Sequence, residues 1–401
     1  MSSLRLRPLL PYMVVVFLGY VSFSIQLPFY PDIFLDPEKS ILPQTMTIEM
    51  KTILLGIVLA AYPLGQFFGA PIIGIFSDRW GRRKVVIGAL SIKFLGYLIT
   101  AYGVDIHSML AILGGLMLCG LAEANITIAQ AVIGDFIPKE NRVRYFAIVN
   151  FFASVPFIVG PLLGIILVHN IPGLAFSIPF WIGAALSLIS VGVIWQFSTE
   201  TKKGNFFTLP IVEGIKENWN NLTLRKFYLT VLLLYYSLYS FWDCIGIYLE
   251  RYFGFTVVGV AYVKAYDALF YCLGLLVLVP IFAKKLTPKI SVGLASLGFS
   301  VMLTVLVFPK SPQMFYLTIP PLGLLTSILL TNAAAVVSIK ADQQIQGHAL
   351  GTLQSMQVTA GMSVGILGGL LAALRPVLPL WAGALTALIG GFLLLRNGKS
   401  P

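Results

Sequence analysis

Long apolar runs recur along the chain, separated by short polar segments. A helix needs about 20 apolar residues to cross the hydrocarbon core of a bilayer. Twelve runs meet that need, at about 8–29, 52–76, 85–103, 109–132, 146–168, 175–197, 227–249, 257–282, 290–308, 314–338, 349–373 and 377–395. The pattern predicts an all-α integral membrane protein with twelve transmembrane helices. Its longest connection, Ser198 to Lys226, separates the sixth run from the seventh. This divides the chain into an N-terminal six-helix bundle (1–197), a linker (198–226) and a C-terminal six-helix bundle (227–401). Arg5 and Arg7 precede the first run as they would in a signal peptide. That run is too long for one and lacks a small-residue cleavage site, so it reads as the first span.

Composition sharpens the picture. Hydrophobic residues make up 58% of the chain and charged residues 11%, against about 25% charged in soluble domains. The net charge of +11 would suit a nucleic-acid binder, but the cations sit in short loops between apolar runs. There they act as topology signals. Lys39, Lys51, Arg251, Lys310 and Arg375 fall on one side and Lys93 and Lys264 within spans; the rest of the 27 Lys and Arg lie on the side of the N-terminus. Both termini are therefore expected in the cytoplasm, with a bacterial inner membrane as the location. Cys119, Cys244 and Cys272 lie in apolar runs, which argues against a disulfide framework or metal spacing. His107, His169 and His348 have no nucleophile or metal spacing beside them, so no catalytic set, metal or cofactor is expected. The sequons at Asn125 and Asn221 read as chance, one inside a span and one on the cytoplasmic side.

One loop carries unusual chemistry: Gly74-Ile75-Phe76-Ser77-Asp78-Arg79-Trp80-Gly81-Arg82-Arg83-Lys84, between the second and third runs. It must be a tight charged turn at a membrane surface, because its cations are costly to bury in lipid. The pattern G-x-x-x-D-R-x-G-R-R-K resembles the motif between spans two and three of major facilitator superfamily transporters. An internal repeat supports this: Pro71-Ile72-Ile73-Gly74 with Gly88 four residues after Lys84, and Pro280-Ile281-Phe282-Ala283 with Gly293 four residues after Lys289. Asp135, Pro138 and Arg142 are similar to the family's D-x-x-P-x-x-x-R loop after span four. The resemblance implies two pseudo-symmetric six-helix bundles. It also implies that Asp78 faces the start of span eleven near Ala349 to Thr352. Gly74, Asp78, Arg79, Gly81, Arg82, Arg83, Asp135 and Arg142 are its gating residues, with Asp78, Arg82, Asp135 and Arg142 forming a charge cluster.

Val159-Gly160-Pro161-Leu162-Leu163-Gly164 in span five resembles the core of the motif of twelve-span drug/H+ antiporters. Gly160, Pro161 and Gly164 are thus helix-bend candidates. Upstream of them Pro156 and Ala147 stand where glycines are usual. Span four departs further, with Leu116 and Cys119 where that group has Arg and Gln. Four-residue glycine spacing in spans two (Gly65, Gly69), five and eleven (Gly361, Gly365, Gly369) permits close helix approach. In the superfamily spans two and eleven meet across the halves, as do five and eight.

Ionisable residues inside a membrane are functional by default. Glu123, Asp267 and Asp243 are the proton-coupling candidates, and Lys93, Gln26, Asn125, Tyr239, Lys264 and Tyr266 the substrate-cavity candidates. Lys93 can meet Glu123 or an anionic substrate, and Lys264 can pair with Asp267 three residues on. Tyr239 and Tyr266 are expected to be deep in the membrane. The resemblance implies a proton-coupled secondary transporter exporting a small amphipathic solute by alternating access, driven by the proton gradient, as a monomer. The alternative within transport is proton-symport uptake of a metabolite or an anionic metal chelate such as a siderophore. A non-transporting receptor is a distant third.

Overall fold

The computed structural model describes residues 8–35, 40–123, 125–170, 176–200, 222–255, 257–308 and 311–396. Arg5, Arg7, Lys39, Lys310, Asn221 and most of the predicted linker lie outside them. In chain order the helices are α1 (Leu10–Ser24), α2 (Phe29–Leu35), α3 (Ile48–Trp80), α4 (Arg82–Asp105), α5 (Met109–Leu121), α6 (Asn125–Phe136), α7 (Arg142–Ser154), α8 (Pro156–Asn170) and α9 (Ile178–Phe197). They continue with α10 (Leu222–Phe253), α11 (Val257–Leu273), α12 (Val279–Lys285), α13 (Pro288–Leu306), α14 (Phe315–Lys340), α15 (Gln346–Ser363), α16 (Gly369–Leu374) and α17 (Leu378–Arg396). The fold is all-helical. Eleven helical stretches among the described residues are long and apolar enough to cross a membrane, and α1 is a shorter apolar helix. Thr47, Ser108 and Thr287 start α3, α5 and α13, each side chain accepting a backbone N–H three residues on. Large apolar side chains such as Leu110, Leu317 and Leu374 stand exposed. That would be a fault in water and is the expected coat of a protein in lipid.

Cα proximity divides the chain into two compact units. The first holds Met1–Phe136, Phe152–Gly214 and Gln344–Gly351; the second holds Ile137–Phe151, Ile215–Gln343 and Thr352–Pro401. Within the first unit α9 packs on α1 and α4, and α5 packs on α3 and α4. Within the second, α17 packs on α10 and α13, and α14 packs on α11 and α13. The order of neighbours is the same in both, so the repeat that two short sequence patterns suggested extends to the internal packing of each unit.

Several predicted spans are interrupted. The first ends as α1 at Ser24, and the backbone turns over Ile25 to Pro28 before α2 begins. The fourth is broken between Leu121 and Asn125, with Glu123 in the gap. The fifth breaks at Val155, where Pro156 cannot donate to the preceding turn. Helix α8 runs through Pro161 without interruption. In the eighth and eleventh, five-residue π segments, Gly274–Leu278 and Val364–Gly368, replace α geometry. Such segments reset the helical register by one residue.

Candidate functional site

The turn between α3 and α4 is built around one buried cation. Gly81 joins the helices at φ 96°, ψ 152°, a conformation open to glycine almost alone. The next residue, Arg82, is fully buried. Its Nη1 lies 2.7 Å from Asp78 Oδ1 and donates to Ser77 Oγ at 2.6 Å. Nε and Nη2 donate to the two carboxylate oxygens of Asp135, at 3.0 and 3.3 Å. A guanidinium is suited to this because its donors diverge in a plane and can hold two carboxylates at once. Asp78 in turn accepts the backbone N–H groups of Gly347 (3.1 Å) and His348 (2.9 Å). These are orphan donors at the start of α15, where partial positive charge favours a carboxylate. The contact falls two residues ahead of the expected Ala349 to Thr352 stretch. Gly74 makes it possible, since a Cβ there would strike the Gly347 carbonyl.

The other motif cations serve separately. Arg83 donates to the Trp195 carbonyl at 2.5 Å, while Arg79 Nε and Nη2 are buried without a hydrogen-bond partner. Arg142 sits in the second unit. Its guanidinium donates to the carbonyls of Ile137 (3.1 Å) and Ser338 (2.5 Å). Asp78, Arg82 and Asp135 thus come together around one guanidinium, and Arg142 braces the Ile137 and Ser338 backbones. Gly65 and Gly69 of span two serve a different contact. They face the α5 backbone at Met117 and Leu121, so their stripe packs spans two and four together.

A second constellation lies at the break in span four. Glu123 is buried, and its Oε2 accepts both the Lys93 ammonium and the Tyr62 hydroxyl, the latter at 2.5 Å. Lys93 is fully buried, lies 5.8 Å from the Tyr97 ring centroid, and its backbone carbonyl accepts from Cys119 Sγ at 3.6 Å. Lys93 makes the expected pairing with Glu123. Glu123 Oε1 and Asn125 Nδ2 are buried with no hydrogen-bond partner. Gly19 of α1 leaves the room that Asn125 occupies. Gln26 is buried in the turn after α1, donating to the Ser22 carbonyl and accepting from Tyr30. Gly160 and Gly164 press on that same turn, at Ser24 and Ile25.

A third set belongs to the second unit. Asp267 of α11 is buried, accepts from Trp242 Nε1 at 3.3 Å, and keeps Oδ1 unpartnered. The expected Lys264–Asp267 pair does not form. Lys264 is exposed and lies within coulombic reach of Asp243, itself exposed. Tyr239 is half-buried, packs edge-on against Trp242 and accepts from Gln357 at 3.5 Å. Tyr266 is not deep. A residue turns about 100° from its neighbour on a helix, so with Asp267 inward, Tyr266 faces the exposed Tyr316 and donates to its carbonyl at 3.3 Å.

The family model of the Major Facilitator Superfamily matches residues 12–365. The chain belongs to the major facilitator superfamily. It is a multi-pass transporter and not an enzyme. It is 29% identical over 346 residues to the tetracycline resistance protein, class B, of Escherichia coli, covering 82% of this chain and 80% of that one. It is 26% identical over 222 residues to multidrug resistance protein 2 of Bacillus subtilis, covering 52% of each. Among solved structures it is similar to the human organic anion transporter MFSD10, with TM-score 0.80 and 17% identity over 97% of this chain and 99% of that one. The E. coli fucose:proton symporter FucP superposes with TM-score 0.79 and 15% identity, over 99% and 100% of the two chains. At such identities these two show the fold alone.

The superfamily motifs supplied Asp78, Arg82 and Asp135; three side-chain partners went unrecognised in the sequence. Glu200, placed in the linker, accepts the Arg82 backbone N–H at 2.7 Å and caps α4. Its carboxylate fills the space beside Gly81. Gly81→Ala is therefore expected to destabilise the protein by about 1–3 kcal/mol. The check is thermal unfolding followed by Trp fluorescence, and an unshifted midpoint would refute the strained turn. Tyr62 and Trp242 are the other missed side chains, hidden among many aromatics in apolar runs. The N–H groups of Gly347 and His348 carry no side-chain signal at all.

Proposed function

We propose that this superfamily transporter is a proton-coupled antiporter that exports a small amphipathic organic solute by alternating access. Glu123 is the coupling carboxylate in this reading. The observation that carries it is the buried Lys93–Glu123–Tyr62 cluster at the break in span four. A proton taken up by Glu123 removes the charge that holds Lys93, so the two protonation states favour different packings of α4 on the broken helix. The similarity to proteins named for tetracycline and multidrug resistance supports an amphipathic cargo. Leu116 and Cys119 replace the usual polar pair of span four, and Lys93 with Glu123 provides an ionisable pair in the same region. Lys93 is engaged by Glu123, which leaves less support for uptake of an anionic chelate.

In this reading the six-helix halves 1–197 and 227–401 rock about a midplane cavity, joined by the 198–226 linker. Asp78 holds the start of α15, a helix that passes into the second unit from Thr352, as a latch on the cytoplasmic side. Asp267 is the second titratable candidate, while Tyr239 and Gln357 offer hydrogen bonds to cargo. A monomer in a bacterial inner membrane, with both termini cytoplasmic, completes the scheme.

The test is substrate-driven proton movement in proteoliposomes with a trapped pH dye under an imposed pH gradient. Alkalinisation of the proton-rich side on adding substrate to the opposite side is the result expected for exchange. Proton flow in the direction of the substrate would replace it with symport. Glu123→Gln is expected to flatten the pH dependence of transport while the protein still accumulates in the membrane. An unchanged pH profile would remove Glu123 from coupling.

A further inference from the structure

At the Asp78 end of the first unit, α3, α4 and the end of α5 enclose a groove of about 600 Å³. That is within the range of roughly 300–1,000 Å³ for sites that hold a ligand. Its body is apolar, with Ile73, Ile92, Leu118 and Leu121 among the lining residues, while Arg79 and Lys84 line it as well. Phe76 and Trp80 stack face to face along one wall, 4.5 Å apart at 5°. Arg79 also carries two nitrogens, Nε and Nη2, that are shielded from solvent and have no acceptor among the described residues. Buried donors in native proteins nearly always find a partner. An exposed Trp beside cations at a helix end also marks the headgroup level of a bilayer.

We propose that this groove is a binding site for one anionic phospholipid. Its phosphate takes the Lys84 ammonium and the Arg79 guanidinium that line the groove, and an acyl chain lies along the α3–α4 seam toward Leu118 and Leu121. The charge identifies the headgroup: an acceptor with several anionic oxygens suits a guanidinium and an ammonium together. The apolar body identifies the rest, because a free phosphate would leave that surface uncovered. The inner wall ends at Ala122, next to Glu123, so the lipid supports the turn that carries the buried ion pair. The site rests on the groove and its cations and is independent of the transport reading above.

The test is native mass spectrometry of the purified protein given 1-palmitoyl-2-oleoyl phosphatidylglycerol or the matching phosphatidylcholine. The wild type is expected to retain one phosphatidylglycerol, at least roughly tenfold in preference to phosphatidylcholine, given about 1 kcal/mol per surface cation. Lys84→Gln is expected to reduce that preference several-fold. Gly88→Leu fills the groove from a position with nothing within 4 Å of an added Cβ, and is expected to abolish retention with the charges intact. Equal retention of the two lipids would overturn the proposal. So would undiminished retention in Lys84→Gln, which decides the matter alone if Gly88→Leu does not fold. Binding of inorganic phosphate in place of lipid would also overturn it.

Discussion

Lys93→Met is expected to destabilise the protein by about 3–5 kcal/mol, because it strands the Glu123 carboxylate in a dry interior. Lys93 and Glu123 are both buried, and the ammonium is the one cation among the described residues paired with that carboxylate. Tyr62 alone supplies a single hydrogen bond, worth about 1.5–3 kcal/mol to a charged acceptor. The double variant Lys93→Met, Glu123→Leu removes both charges with little change in volume. It is expected to recover most of the lost stability, since replacing a buried pair by apolar groups is often neutral or better. Unfolding of the purified single and double variants, followed by Trp fluorescence, checks this. A single variant as stable as the wild type would show that the pair is not held as a buried ion pair. Under the proposed coupling, the recovered double variant still fails to move protons with substrate. That separates a structural pair from a coupling pair.

Arg82→Lys should be nearly as damaging, at about 3–5 kcal/mol, despite conserving charge. The guanidinium reaches Asp78, Ser77 and both oxygens of Asp135 from one fully buried position. An ammonium is a compact point charge and cannot span the two acids with the same geometry. One carboxylate is then left without its partner. Arg83→Gln is the control. Its side chain is more exposed and donates to a single carbonyl, so its loss should stay within about 1 kcal/mol. Denaturant unfolding of the two variants in parallel is the measurement. Similar losses in both would mean that burial of Arg82 contributes nothing special. Asp78→Asn and Asp135→Asn share the Arg82 partner, so their double variant should deviate from additivity by about 0.5–3 kcal/mol.

Much of this protein was legible from the chain alone. Membrane character and the long apolar helices follow from hydropathy and length, because lipid forces every backbone group into helical bonds. The Asp78–Arg82–Asp135 cluster was legible for a different reason: its members stand at helix ends, in segments that match the superfamily's motifs. Glu123, Lys93 and Asp267 announced themselves by cost, as ionisable groups inside apolar runs.

What the sequence left open concerns direction and distance. Tyr266 and Asp267 are neighbours in the chain but point to different surroundings, and which one faces inward depends on the rotation of α11, set by packing against α14. Whether Lys264 or Trp242 would meet Asp267 had no local signal, since Trp242 comes from a separate helix. The same holds for Tyr62 on Glu123 and Glu200 on Arg82, contacts 61 and 118 residues apart in the chain. The interruption of span five fell at Pro156 and not at Pro161. Both prolines lack an N–H, and only the surrounding packing decides which missing bond opens the helix. Hydropathy and charge determined the spans and named the costly residues; tertiary packing decided their partners, because the atoms that satisfy a buried charge are brought to it by other helices.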